Sequence, residues 1–458
     1  MSAAPVPPLD QAGVNAVWAA TLVEALVAGG VGHVCVAPGA RSTPLAWAVA
    51  ERIDGVDGDA AAAVDPRAAR PTCSVHLDER GAGFFAVGYA AATGRAVAIV
   101  CTSGTAAANL LPAVVEAHYS RLPLVVVTAD RPPELRDRGA WQAIDQVKLY
   151  GAYVRWAHEL GEPAGDAAAL RYAAAVGARA AAAAQGVPRG PVHLNVPLRE
   201  PLGPVSVARP VDGAPGARPS IAPAPRWAPA VRRADPAAVA ALAERIAAEP
   251  RGLVVAGRPG LGADAARAVA RLAVAAGYPV LAEPLSGLRF GAPDLGGRSP
   301  TWATGYDAFL RPDAGVAVPP PGLVLRVGGS ITWKHVAAYL EGAAGAWQAA
   351  IDPEATWDDP TGRIALRLEA PVAATLDAVA EALAARPAGG DGGDGADRAA
   401  WRGWWQAASD AVAPVRAAFT ADAARGVGWL YPALVDHLPD GALLAVANSM
   451  AVRDLDTF

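Results

Sequence analysis

The sequence predicts an α/β protein built on mostly parallel sheets and divided into two or three domains. Short apolar runs of strand length alternate with alanine-rich runs of helical spacing along most of the 458 residues, as in chains of βαβ units. Four of the apolar runs empty into polar or small-residue loops, at 38–43, 76–80, 102–105 and 128–134. Parallel strands put such loops on one edge of a sheet, where ligands bind. The composition, 53% hydrophobic and 18% charged, suits a well-buried chain and argues against disorder. The length exceeds one ordinary core.

The formal net charge of -5 gives no electrostatic case for nucleic acid or an anionic membrane as partner. Nearly all basic charge is arginine, the only lysines being Lys148 and Lys334, so a single arginine is weak evidence for an anion site. Cys35, Cys73 and Cys101 are widely spaced on apolar stretches with no CxxC, which reads as buried thiols in a reducing compartment. The polar, proline-containing N-terminus lacks the basic lead of a secretory leader. No stretch reads as a membrane span. A cytoplasmic protein without stable membrane insertion is expected.

In chain order, 15–30 reads as a helix stopped by Gly29-Gly30, and 33–37 as a strand. The strand runs into Pro38-Gly39-Ala40-Arg41-Ser42-Thr43, with helix resuming over 45–52. An anion cradle and a capped helix without ligand both fit that turn. Residues 55–70 read as a surface excursion. The central unit follows: a short apolar stretch ending in His76-Leu77-Asp78-Glu79-Arg80, a helix over 81–93, a strand over 96–101 and the loop Thr102-Ser103-Gly104-Thr105. A helix over 109–119 and a strand over 122–128 lead to the fourth loop. Residues 139–151, polar and aromatic without clean periodicity, can lid the same edge; 167–185 is a helix and 190–197 the last strand of the domain.

Residues 203–234, rich in proline, alanine and glycine, read as a linker. A second α/β unit follows, with helices over 236–248, 263–276 and 372–385 and strands over 251–256, 279–282, 323–327, 349–351 and 364–368. Its loop 257–262 is glycine-rich but lacks dinucleotide spacing, with Glu283 the one acidic residue near the expected place. A tight strand–helix turn is the better reading. A second linker is expected at 386–400, helices at 401–420 and from 427, and a strand at 443–446. These features give expected domains at 1–202, 203–390 and 391–458, the last one cut short because a fresh strand and loop have just begun.

Glu79 stands out chemically. A glutamate between a buried strand and an apolar helix can be partly desolvated and hold or share a proton, while the helix N-terminus favours its charged form. A simple capping arrangement also fits the Asp78-Glu79 pair, and a core role fits His76. No Ser-His-Asp, HExxH or Cys/His metal spacing is evident. The residues alone reach an α/β enzyme with an anionic small-molecule site.

The segments at 35–45 (CVAPGARSTPL), 76–90 (HLDERGAGFFAVGYA), 101–117 (CTSGTAAANLLPAVVEA), 125–146 (VVVTADRPPELRDRGAWQAIDQ) and 448–454 (NSMAVRD) resemble the 2-succinyl-5-enolpyruvyl-6-hydroxy-3-cyclohexene-1-carboxylate synthase family of menaquinone biosynthesis. The resemblance implies thiamine-diphosphate-enzyme architecture: a parallel-sheet pyrimidine-binding domain, an α/β central domain and the start of a third, diphosphate-binding α/β domain. It implies thiamine diphosphate with Mg2+ (or Mn2+) as cofactors, and 2-oxoglutarate and isochorismate as substrates. The implied reaction decarboxylates 2-oxoglutarate on the cofactor and adds the succinic-semialdehyde carbanion equivalent to isochorismate. Glu79 would be the catalytic glutamate of the aminopyrimidine, with Pro38, Gly39, Thr102, Ser103, Gly104 and Thr105 also lining the cofactor site. Arg41, Arg131, Gln142, Lys334, Ser449 and Arg453 would bind substrate. Active sites would lie between the subunits of a homo-oligomer, a dimer or tetramer.

Two positions depart from the family pattern: Ala40 replaces a common serine, and His335 stands where some relatives have arginine. The acidic and asparagine-containing metal segment does not occur, so the metal ligands are expected beyond Phe458, and poor cofactor binding is expected of the chain alone. The alternatives are another thiamine-diphosphate-dependent 2-oxoacid decarboxylase or carboligase, such as an acetohydroxyacid-synthase-like enzyme, or an inactive truncated chain.

Overall fold

A computed structural model describes residues 9–53, 70–205, 224–258, 261–289, 295–329, 331–386, 393–422 and 426–458. Nearly all of the excursion expected at 55–70 lies outside the described residues, as do 206–223 of the first linker and 387–392 of the second. Contacts divide the chain into two compact units, Met1–Ala230 and Val231–Phe458.

The first unit runs α1 (Gln11–Ala28), β1 (Val31–Val36), α2 (Thr43–Arg52), β2 (Thr72–Val75), α3 (Glu79–Thr93), β3 (Ala96–Cys101), α4 (Thr105–Asn109), α5 (Leu111–Ser120), β4 (Leu124–Asp130), β5 (Trp156–Glu159), α6 (Ala167–Gln185) and β6 (Val192–Pro197). Its six strands are all parallel in the order β2-β1-β3-β4-β6-β5. The strand order reverses between β1 and β3, the crevice where open α/β sheets take ligands. Helices cover both faces, so β1, β3, β4 and β6 are buried along their whole length. That is why β3 and most of β4 read as continuous apolar runs, while the polar residues of β6 are buried in hydrogen bonds. The edge strand β5 has no such run and was not legible in the sequence. The helix expected over 109–119 is α5, with Pro112 in its first turn where its missing N–H costs nothing, and a short unexpected helix, α4, precedes it.

Helix α1 is long and apolar enough to cross a membrane by length and composition, but 72% of that stretch is buried inside this unit. It is a core helix, and its whole-circumference apolarity follows from packing against α2, α6 and the sheet. The α1–α6 seam is close: a Cβ built on Gly177 would meet Ala25 Cβ at 2.8 Å, and one on Gly29 would meet Ala181 Cβ at 2.5 Å.

The second unit runs α7 (Pro236–Ala248), β7 (Gly252–Ala256), α8 (Ala263–Ala276), β8 (Val280–Ala282), β9 (Trp302–Ala303), α9 (Tyr306–Phe309), β10 (Leu323–Val327), α10 (Lys334–Gly342), β11 (Trp347–Ile351), β12 (Ile364–Leu368), α11 (Val372–Ala384), α12 (Gly393–Thr420), α13 (Leu430–His437) and α14 (Met450–Thr457). Again six parallel strands form one sheet, in the order β12-β11-β10-β7-β8-β9. Helix α12 joins this unit through the buried Trp401 and Trp405; Trp405 packs edge-on against Phe309, Tyr339 and Trp401. The Trp401 indole donates to Gly252 O at 2.7 Å.

Three expectations near the end of the sequence do not hold. Residues 393–400, expected as the end of the second linker, are the first turns of α12. Residues 443–446 form no strand: Leu443 is 96% exposed and none of the described strands lies beside it to take its backbone groups. The stretch after it, read as a loop, becomes helix α14 from Met450.

Candidate active site

Three of the loops at the carboxyl edge of the first sheet come together around Ser103 and Gly104. Gly104, at the N-cap of α4, has φ +81°, a left-handed conformation that favours glycine. A Cβ there would meet Gln142 Cγ at 2.8 Å, so the 139–151 segment rests on this turn. The Gln142 carboxamide donates to Ser103 O at 2.9 Å. Arg131, at the end of β4, donates through Nη1 to the buried Ser103 hydroxyl. Gly39 lies against Thr102, whose Cβ would be 2.6 Å from a Cβ on the glycine. Pro38 and Gly39, with Thr43, Ala46 and Trp47, line a shallow depression.

Glu79 opens α3 and is half-buried. Asp78, not Glu79, is the N-cap, its carboxylate accepting from Gly81 N at 2.9 Å. Capping is therefore done without Glu79, whose hydrogen-bond partner among the described residues is Asn109 Nδ2, donating to Oε2 at 3.3 Å. His76, in the residues before it, pairs with Ser74 Oγ at 2.8 Å and stacks near Phe85. A half-buried carboxylate at a helix start, free of capping and, among the described residues, of ion pairing, can hold or share a proton.

Arg41 is buried, donating to Leu198 O at 2.9 Å and to Glu200 Oε1 at 2.8 Å, while its Nε has no partner. Burial, and then the nearby Arg41 charge, hold the Arg131 guanidinium below its ordinary pKa. Two guanidiniums within each other's field favour an incoming carboxylate. Thr105 is exposed at the first turn of α4.

Beneath the edge lies a buried polar layer that sequence reasoning did not single out. The Thr128 hydroxyl donates to Asn195 Oδ1 at 2.8 Å, so it accepts from His193 Nε2, also at 2.8 Å, which makes that nitrogen the protonated one. Asn195 Nδ2 donates to Asp130 Oδ2 at 2.8 Å and Glu159 Oε2 at 2.6 Å, and Arg136 bridges the same two carboxylates at 3.0 and 2.6 Å. Gln146 closes the layer from the lid segment, donating to Asn195 Oδ1 at 2.8 Å. Desolvation holds the His193 imidazole down to about 4, and burial together with the nearby His76 and Arg95 holds His33 at about 4 as well. Both folded pKa values lie below the ordinary histidine value, so this contribution to stability is full above about pH 6.5 and is lost as pH falls through about 4. The urea midpoint of the protein is expected to fall over that window, and a His193→Gln variant to show a shallower fall.

In the second unit, Lys334 and Arg453 line one cavity of about 380 Å³ together with Asp307, Arg311, Trp333 and His335. The structure thus brings together two of the three residues expected in this part of the chain. Ser449 is the exposed N-cap of α14 with φ +66° and does not line the cavity. Glu283 is buried and accepts from Thr332 N and Trp333 N at 2.5 and 2.9 Å, which assigns it to the start of α10 and not to a dinucleotide ribose. Residues 259–260 of the glycine-rich loop lie outside the described residues. Among the described residues no group of three or more His, Cys, Asp or Glu is placed to hold a metal ion.

Residues 17–149 match the family model described as thiamine pyrophosphate enzyme, N-terminal TPP binding domain. The chain is 41% identical to 2-succinyl-5-enolpyruvyl-6-hydroxy-3-cyclohexene-1-carboxylate synthase of Chloroflexus aurantiacus over 445 residues, covering 96% of this chain and 69% of the relative. Identity to the Geobacillus thermodenitrificans synthase is 41% with the same coverages. The Haloarcula marismortui synthase is 40% identical over 97% of this chain and 72% of its own length. With this level of identity along two parallel-sheet units, the chain belongs to the 2-succinyl-5-enolpyruvyl-6-hydroxy-3-cyclohexene-1-carboxylate synthase family of thiamine-diphosphate-dependent enzymes.

Proposed function

We propose that the chain works as a carboligase of menaquinone biosynthesis, decarboxylating 2-oxoglutarate and joining the remaining four-carbon unit to isochorismate. The observation that carries this reading is Glu79, half-buried at the start of α3 and relieved of capping by Asp78. Bound thiamine diphosphate supplies the electron sink that lets a 2-oxo acid lose carbon dioxide. Glu79 would be the residue to hold the aminopyrimidine ring of that cofactor and supply a proton-sharing carboxylate there, with the Thr102–Thr105 turn, Pro38 and Gly39 also lining the cofactor site. Arg131, Arg41 and Gln142 in the first unit, and Lys334, Ser449 and Arg453 in the second, serve the carboxylates of the two substrates. Residues 1–202 act as the pyrimidine-binding domain and 203–390 as the central domain, with 391–458 opening the diphosphate-binding part. Mg2+ is assigned to none of the described residues.

The working form is a homo-oligomer with active sites between subunits, at least a dimer. Apolar side chains stand exposed beside Glu79, with Leu77 at 99% and Phe84 and Phe85 half that, which supports a protein surface packed over this region. A cytoplasmic location goes with the same reading.

Calorimetric titration with thiamine diphosphate and Mg2+, followed by carbon dioxide release from 2-oxoglutarate with and without isochorismate, tests the proposal. Product formation dependent on both substrates is expected when a diphosphate- and Mg2+-binding segment is present with these residues. Consumption of 2-oxoglutarate indifferent to isochorismate would point instead to a simple 2-oxoacid decarboxylase.

A further inference from the structure

We propose that Gln146 is a positioning residue that sets the plane of the Ser103–Gly104 peptide and, through it, the place of Gln142 and Arg131. Gln146 is fully buried and every polar atom of its carboxamide is used. Its Oε1 accepts from Gly104 N at 2.7 Å, while its Nε2 donates to Ala129 O at 3.1 Å and to Asn195 Oδ1 at 2.8 Å. A single side chain from the lid segment thereby ties the end of β4, the middle of β6 and the turn after β3.

The geometry at the turn gives this tie a direction. The N–H of Gly104 and the C=O of Ser103 belong to one rigid, planar peptide group. Gln146 holds the N–H side of that group, and Gln142 donates to the C=O side. The hydroxyl of the same Ser103 takes the Arg131 guanidinium. Rotation of this one peptide plane would move the Gln142 acceptor directly, and a shift of the turn that carries it would move the Ser103 hydroxyl held by Arg131. Gly104 at φ +81° has no Cβ to resist such rotation, so an external hydrogen bond must supply the restraint. The Asn195 contact adds an anchor in the sheet, because Asn195 is itself held by Thr128, Asp130 and Glu159.

A purely structural role for Gln146 would weaken the whole unit. A positioning role acts on the turn and on the two side chains that hang from it. The two are separated by Gln146→Met, which keeps the volume and removes the hydrogen bonds, measured in the full chain beside Gln142→Ala and the double variant. In wild type, amide hydrogen exchange read by mass spectrometry is expected to be slow at 103–105. In Gln146→Met it should quicken at least about tenfold there and at 140–147, as for a lost buried hydrogen bond, with the amides of β3 and β4 unchanged. Isochorismate affinity by calorimetry should fall about tenfold in each single variant, and the double variant should lose little more than either one.

Fast exchange at Gly104 in wild type would overturn the proposal even if Gln146→Met did not fold. Unchanged exchange in the variant, or losses in affinity that multiply in the double variant, would also overturn it. The affinity arm rests on the functional reading above and the exchange arm does not: a wild-type chain indifferent to isochorismate would sink that reading, and the exchange result would still decide the role of Gln146.

Discussion

Glu79→Gln, made in a full-length version of the protein, is expected to bind thiamine diphosphate with near wild-type affinity and to lose about 10³-fold in kcat, the range for removal of a group that moves a proton in the rate-limiting chemistry. The substitution keeps the shape of the side chain and an oxygen able to accept from Asn109 Nδ2, now 3.3 Å away. The start of α3 should remain intact, since its cap is Asp78. What goes is the carboxylate that the proposed function uses to pass a proton. Cofactor affinity by calorimetry and kcat by steady-state assay separate the two effects. An unchanged kcat would remove Glu79 from the chemistry, whereas loss of both quantities would make it a binding residue.

In the same full-length version, Arg131→Ala should act on substrate use and spare the cofactor. A charge-assisted hydrogen bond to a carboxylate is worth about 1.5–3 kcal/mol, so kcat/KM for isochorismate is expected to fall about 10- to 100-fold. Arg131→Lys should recover only part of this, because an ammonium cannot reproduce the planar fork that a guanidinium offers to both Ser103 Oγ and an incoming carboxylate. An unaltered kcat/KM for isochorismate in Arg131→Ala would place the substrate elsewhere.

Much of the fold was legible because buried parallel strands and alanine-rich helices leave strong periodic signals. The strands at 96–101, 323–327 and 364–368 and the helix at 167–185 have the bounds their apolar patterns predict. The edge strands β5 and β9 were invisible for the opposite reason: they are short, and apolar continuity is not demanded at a sheet margin. The apolar residues at 443–446 misled because strand pattern is only half of a strand, and the other half is a neighbour.

The site was legible in part. Converging loops pointed to the edge, but the residue chemistry alone stopped at an anionic ligand. Glu79 acquired its assignment through the resemblance, and its release from capping emerged only from the coordinates. The Gln146–Asn195 contact joins residues 49 positions apart through polar atoms. No periodicity announces such a pair, since each residue taken alone looks like an ordinary polar side chain next to a strand.

The close seam between α1 and α6 bears on how this protein can change over time. Where backbones meet across glycine and alanine, with 2.5–2.8 Å to any added Cβ, a larger residue on one helix demands a matching retreat on the other. Drift along that seam is confined to paired steps, and improvement by filling space is closed there. The α1–α6 seam is thus unforgiving to engineer, and changes aimed at altered substrate range belong on the lid segment, where Trp141 and Gln142 are exposed.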